Sequence, residues 1–241
     1  MLDGRFDRVS LMSAVLDFFD EAIKLATLSS NLVADQDAAI TECRKQKAQG
    51  AVALLPSIAD IGGRVSSFIQ HADQSAQRLL VLCRLFYSLP AGKAWFDSLA
   101  KVAADEHQLE QAEIERLGRM VKFAQFLRNC RNCLEHPKPH HRVAFTNFTM
   151  TPSAETELPT IEIVHERTPE PVVPLTIFME NMMQGVLNLG EQMMTFLASF
   201  HVTPGWEETV AVCYFEDGQR RHPHVRYYFA MNMNGQIVPI G

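Results

Sequence analysis

No apolar run in this chain reaches the roughly 20 residues that span a bilayer. The opening "MLDGRFDRVSLMSAVLDFFDEA" places Asp17, Asp20 and Glu21 where a secretory signal needs apolar or small residues. Those two absences point to a cytoplasmic protein with no membrane partner. Cysteine is scarce and odd in number: Cys43, Cys83, Cys130, Cys133 and Cys213 make no disulfide framework and read as reduced thiols. An excess of positive charge is missing too. The formal net charge of −6 argues against a protein that coats nucleic acid through many phosphate contacts, although it leaves room for a local basic site. There is no phosphate-cradling glycine loop, no Ser-His-Asp grouping and no H-E-x-x-H pair, so the common signals of nucleotide hydrolysis, acyl transfer and zinc proteolysis are lacking. Fixed-period repeats and low-complexity segments are absent as well.

What is present is an ordinary globular composition, 47% hydrophobic and 21% charged over 241 residues, enough to bury a core. Val9, Met12, Leu16, Phe19 and Ile23 recur at three- and four-residue steps, which predicts a helix with that face buried. "ADQDAAITECRKQKAQG" predicts a polar helix ending near Gly50. Pro56 and the Gly62-Gly63 pair predict a kink or break before the apolar helix "QSAQRLLVLCRLFYSL". The longest helical pattern covers about 106 to 136 and stops where Pro137 and Pro139 forbid continuation. "HRVAFTNFTM" and "PTIEIVHE" then read as strands, joined by the irregular "RTPEPVVP" to a helix over 175–201. Met179, Met182, Met183, Met193 and Met194 on that helix read as core packing, with a dimer or partner surface as the alternative. A hairpin turning in the DGQRRHP region closes the chain. The expected architecture is mainly α: a helical bundle over 1–140, then a strand-rich extension over 141–241 that carries a small antiparallel sheet. The long helix 175–201 can complete the bundle.

Chemistry concentrates in "RNCRNCLEHP", residues 128–137. Arg128, Asn132 and His136 follow at four-residue steps on one helical face, and Arg131 and Glu135 form a four-apart pair on a neighbouring one. Arg131 and His136 are five apart, about 140° around a regular helix axis. They converge if the last turn distorts, or if a second copy faces the first across a two-fold axis, which predicts a homodimer with a shared cleft. Arginine holds phosphate through a planar fork, and histidine as a residue type exchanges protons near neutral pH. Together they suffice to cleave RNA without a metal: the ribose 2′-hydroxyl attacks the adjacent phosphorus while arginine stabilises charge on the non-bridging oxygens. The products are a 2′,3′-cyclic phosphate and a 5′-hydroxyl.

Plainer readings stand beside this one. His136 can be a helix C-terminal cation against the macrodipole, with Arg128 and Arg131 solvated. Glu135 beside Arg131 can neutralise the charge that phosphate needs. The basic clusters "KPHHR" (138–142) and "RRHPHVR" (220–226) can be solvated loops or phosphate contacts. Cys130, Cys133 and His136, with His140 or His141, have the donor types of a zinc site, but a helix runs through both cysteines where such sites favour turns.

The sequence "RNCLEH", Arg131 to His136, resembles the R-x-x-x-x-H signature of the HEPN superfamily, with Asn132 as the polar residue often found after the arginine. The match covers six residues sharply and the helical portion loosely. The resemblance implies an all-α core, a homodimer, no cofactor or metal, and ribonuclease activity in toxin–antitoxin, phage-defence or CRISPR-linked settings. It also implies Arg131 and His136 as the catalytic pair, with Asn132 orienting the site. Arg128, Lys138, His140, His141 and Arg142 are then the candidate RNA contacts. An RNA substrate and an antitoxin protein are the implied partners. One branch of the superfamily, which pairs with nucleotidyltransferase antitoxins, carries tyrosine two residues past the histidine; this chain carries Lys138 there. A catalytically silent HEPN-like module that binds a protein or nucleic acid is the alternative.

Overall fold

The computed structural model describes residues 7–49, 55–89, 96–153, 155–201, 210–216, 218, 220, 226–233 and 236–240. Among them run five α-helices and eight strands. The helices are α1 (Arg8–Ala48), α2 (Ile61–Phe86), α3 (Leu99–His107), α4 (Gln111–Glu135) and α5 (Leu175–His201). The strands are β1 (Arg142–Thr146), β2 (Thr149–Met150), β3 (Thr156–Glu157), β4 (Thr160–Val164), β5 (Glu170–Pro174), β6 (Val210–Tyr214), β7 (Tyr227–Met233) and β8 (Gln236–Ile240). The chain is mainly helical, with small antiparallel sheets. None of the described helices is long and apolar enough to cross a membrane.

Several expectations are corrected. The first two helical patterns are one unbroken helix of 41 residues, α1. The face of α1 marked by Val9, Met12, Leu16, Phe19 and Ile23 is exposed; Ala14, Phe18, Ala22, Leu25 and Leu32 form the buried one. Helix α2 starts at Ile61, well before the "QSAQRLLVLCRLFYSL" pattern, and Gly62 and Gly63 lie in its first turn rather than breaking it. There the Asp60 carboxylate accepts the Gly63 N–H at 3.2 Å, capping an otherwise unpaired donor. A Cβ on Gly63 would overlap that carboxylate. The pattern over 106–136 divides at Gln108, whose positive φ of 51° ends α3 before α4 begins.

"EPVVP" is also a strand, β5, rather than an irregular connector. It occupies an edge of the sheet ordered β1-β4-β5, the position where proline costs no ladder hydrogen bond. Instead of one small sheet, three antiparallel ones occur among the described residues: β1-β4-β5, β2-β3 and β6-β7-β8. The closing hairpin is β6-β7, extended by β8. Most of its proposed turn, residues 217, 219 and 221–223 of DGQRRHP, lies outside the described residues.

The chain packs as two compact units that interleave in sequence: Met1–Phe18, Gln77–Phe123 and Leu187–Gly241 make one, Phe19–Ala76 and Ala124–Val186 the other. In the first, Phe18, Leu79, Cys83, Tyr87, Phe96, Leu99, Leu117, Met193 and Phe196 are buried. Gly190 lets the Phe18 ring lie against α5, since a Cβ there would overlap the ring. Glu191 of α5 accepts from the Arg226 side chain at 2.6 Å and from the Arg226 backbone N–H at 2.5 Å, fastening the start of β7.

The second unit carries the R-x4-H motif. Leu25 and Leu32 of α1, Phe68 and Ile69 of α2, Leu127 and Cys130 of α4, and Phe178, Met179 and Met182 of α5 are buried in it. Strand β4 alternates, with Ile161 and Ile163 buried and Glu162 half-exposed, the period of a half-buried strand. Asn147 ties the sheet to the chain before α2: it accepts from the Ile58 N–H at 3.1 Å and donates to the Ile58 carbonyl at 2.9 Å. Met179, Met182 and Met193 are buried, in keeping with the core reading of the methionines.

Candidate functional site

Helix α4 carries the motif because an apolar stripe through Leu117, Met120, Ala124, Leu127, Cys130 and Cys133 holds it down. The polar residues of the motif lie off that stripe. Arg131 and Asn132 are half-exposed, and Glu135, His136, Lys138, His140 and Arg142 are exposed. The His136 N–H still bonds the Asn132 carbonyl at 2.9 Å, so the last turn remains α-helical past Glu135. Arg131 and His136 therefore keep their wide separation around the axis, and of the two routes to convergence the distorted turn is not taken.

The side chains have individual partners. Arg131 forms an ion pair with Glu135, which leaves each side chain roughly a quarter exposed. Among the described residues the His136 imidazole has no hydrogen-bond or ion-pair partner. Arg128 bonds Asp73 of α2 at 3.0 Å, and that carboxylate is 2% exposed. Arg128 is thus an anchor for a buried acid in addition to being a candidate phosphate contact.

Past the helix the chain makes a tight turn. Lys138 and His141 exchange backbone hydrogen bonds at 2.7 and 3.0 Å, and the Arg142 guanidinium donates to the Pro139 carbonyl. The turn leaves Lys138, His140 and Arg142 at the surface as cations or potential cations, while His141 is half-buried. Of the second basic cluster, residues 221–225 lie outside the described residues, and Arg220 and Arg226 belong to the other compact unit.

A polar network missed by the sequence reading holds this turn. His141 stacks on His165 at the end of β4, with ring centroids 4.6 Å apart. His165 Nδ1 accepts from the Arg167 and Thr168 backbone N–H groups, each at 3.2 Å. The nitrogen is therefore deprotonated and the ring proton sits on Nε2. Thr168 Oγ1 lies 3.1 Å from the same nitrogen and accepts from Asn129 Nδ2 at 3.1 Å, while Asn129 Oδ1 accepts from Gln125 at 2.9 Å. Asn129, 7% exposed, thus links α4 to the β4–β5 connection. A second missed pair is buried Glu21 with His71 at 2.6 Å. His71 lies within α2. The one signal for Glu21 was its place among Ala14, Phe18, Ala22 and Leu25, a carboxylate on an apolar face.

Burial pushes the His165 imidazole below its ordinary value, with the neighbouring His141 and Arg167 adding to the effect and Glu166 opposing it. The folded state thus prefers the neutral ring. Its contribution to stability is present above about 6.5, the ordinary histidine value, and is lost as pH falls through the lowered folded value. Thermal unfolding is expected to shift to lower temperature on acidification through this range. His165→Asn, which retains an acceptor and does not titrate, is expected to flatten that part of the profile; an unchanged slope would contradict the assignment.

The two cysteines of C-x-x-C face the core. Both thiols are pushed up, Cys130 and Cys133 alike, by burial, and the Cys133 thiol donates to the Val164 carbonyl at 3.6 Å. All five cysteines are free. Among the described residues no group of three or more His, Cys, Asp or Glu side chains is placed to hold a metal ion. Compared with models of known protein families, with curated proteins and with solved structures, the chain matches none.

Proposed function

We propose that this chain is a metal-independent endoribonuclease of HEPN type that works as a homodimer. What carries the reading is the end of α4: an exposed imidazole without a partner among the described residues, with a half-exposed guanidinium five residues before it on the same helix. In the proposed reaction the O2′–P bond forms as the P–O5′ bond breaks. The 2′-hydroxyl loses its proton to a base and the departing 5′-oxygen receives one from an acid; His136 supplies one of these two transfers. Arg131 neutralises charge on the non-bridging oxygens, Asn132 orients the site, and Lys138, His140 and Arg142 contact flanking phosphates. Because the last turn of α4 is regular, the reading needs the second copy of the motif to complete the cleft.

Glu135 is the obstacle. Its ion pair with Arg131 must open for phosphate to enter, at a cost of about 0–1 kcal/mol for a pair exposed to this degree. A phosphodiester, bound bidentately, can offset that. The same ion pair favours a second reading, a catalytically silent HEPN-like module that binds a protein or nucleic acid. An antitoxin partner and a defence setting belong to the proposal only through the family resemblance.

Incubating the purified chain with single-stranded RNA in excess chelator separates the possibilities. The nuclease reading expects cleavage to persist. Loss of all cleavage on chelation favours a metal-dependent route, and binding without cleavage under any condition favours the silent module.

A further inference from the structure

We propose that the open face of the β6-β7-β8 sheet is a stacking platform for the unpaired bases of a nucleic-acid strand. The whole sheet lies in one compact unit, which also holds residues 111–123 of α4 and 187–201 of α5. Pairing sets Tyr214 opposite Tyr227 and Val212 opposite Phe229, so these four share a face, and Met231 and Val238 extend it. Ala230, on the other face, is 1% exposed, whereas Phe229 beside it on the central strand is 41% exposed and Tyr214 52%. One face is packed, and the open one carries three aromatic rings.

What borders the rings identifies the occupant. Tyr214 and Tyr227 meet edge to face, with ring centroids 5.5 Å apart. The Arg116 guanidinium of α4 lies 5.7 Å from the Tyr227 ring centre and that of Arg226 5.8 Å. Arg220 lies 5.1 Å from the Tyr214 ring centre and donates to its hydroxyl. Arg116 reaches Glu113 at 3.7 Å and Arg226 holds Glu191 at 2.6 Å, yet Nη2 of each arginine has no acceptor among the described residues. Arg119 and Lys122 follow on α4, exposed and without an ion-pair partner among the described residues.

A single strand matches both features. Every base has a flat π face to lay on an exposed ring, and every phosphate brings the acceptor oxygens of which these guanidinium groups are short. An apolar protein surface would cover the same cations without pairing them, which costs their desolvation. An anionic lipid headgroup supplies the charge but no ring to stack. A duplex keeps its base faces inside its own stack and offers only its backbone and groove edges.

This inference deepens the proposed reading by naming unpaired strands as the substrate class, and it rests on that reading only for the choice of RNA. Oligothymidylate has no 2′-hydroxyl and cannot be cut by the proposed route, so its binding tests the platform alone. Fluorescence anisotropy of the full chain with a labelled oligothymidylate of about twelve residues is expected to show saturable binding in the micromolar range at about 50 mM salt. Oligouridylate, added to the His136→Ala chain to spare the probe, should bind as well; the ratio of the two affinities tells whether the 2′-hydroxyl is read.

Tyr214→Leu and Phe229→Leu are each expected to weaken binding by about 5- to 150-fold, the usual worth of one stacked base. Leucine keeps an apolar side chain while removing the π face, so the fold, followed by circular dichroism, should be unchanged. Phe229→Tyr, which keeps a ring, should bind like the wild type. A duplex of the same length should bind at least about tenfold more weakly. Lack of saturable binding to both oligonucleotides up to about 100 µM overturns the proposal, including where the chain instead adheres to anionic vesicles or self-associates. So does binding that neither leucine variant changes, or that the duplex equals.

Discussion

Replacing His136 with alanine is expected to slow RNA cleavage by about 10²- to 10⁴-fold, the usual cost of losing a general acid or base. Arg131→Ala should cost about 10²- to 10³-fold through the lost stabilisation of phosphorane charge. The reasoning is local. His136 is exposed and has no partner among the described residues, so its removal breaks no described contact. Arg131 loses only the surface pair with Glu135. Both variants should therefore keep the wild-type unfolding temperature within a degree or two, a shift of about 0.5 kcal/mol. Single-turnover cleavage of a labelled RNA checks the first part and a thermal melt the second. Unchanged cleavage in both variants removes these side chains from the mechanism. If Glu135 restrains Arg131, Glu135→Gln should tighten RNA binding without altering the unfolding temperature.

Arg128→Ala is expected to behave in the opposite way, as a loss of stability. Asp73 is 2% exposed as a side chain and bonds Arg128 at 3.0 Å. Removing the cation leaves a buried carboxylate with less compensation, which costs about 3–5 kcal/mol for a fully buried pair. Arg128 is itself a third exposed, so solvent screening reduces the expected loss to about 2–3 kcal/mol. Arg142→Ala, by contrast, removes an exposed cation and should alter stability by about 0.5 kcal/mol while weakening RNA binding in a salt-dependent manner. Denaturant titration of the two variants, with RNA affinity measured at two salt concentrations, distinguishes anchor from phosphate contact. Equal stability of both would refute the anchoring role.

These contrasts mark where sequence reasoning succeeded and where it could not. Helix α5 was legible over 175–201 because its apolar positions hold a helical period throughout and Pro174 precedes it. Strand β4 was legible from "TIEIV", whose alternation matches a half-buried strand. Strand β5 was missed because Pro171 and Pro174 argue against a central strand, and nothing local says that this strand lies at an edge.

The α1 error has a different source. Periodicity detects that a helix has an apolar stripe; when two stripes exist, only packing decides which faces the core. The buried one carries small residues, Ala14 and Ala22, that let neighbouring elements approach, while the more obvious one carries the larger Met12, Leu16 and Ile23.

At the site, "RNCLEH" was visible as a pattern because four- and five-residue spacing on a helix is local. The regular end of α4 was not, since the spacing left a distorted last turn equally open. The partners were not visible: Asp73 is 55 residues from Arg128, and Thr168 is 39 from Asn129. Neither contact leaves a local signature. The stack of His141 on His165 likewise depends on the register that sets Arg142 opposite Val164 in the β1–β4 ladder.

The central claim is that Arg131 and His136 act on one phosphodiester through its neighbouring 2′-hydroxyl. It is tested most directly by analysing the ends left when the wild-type chain cleaves an RNA carrying a single 2′-deoxy substitution at the preferred cut. The account predicts a 2′,3′-cyclic phosphate and a 5′-hydroxyl on the all-ribose strand, with no cleavage at the deoxy position. Products ending in 3′-hydroxyl and 5′-phosphate, or undiminished cutting at the deoxy position, would contradict it.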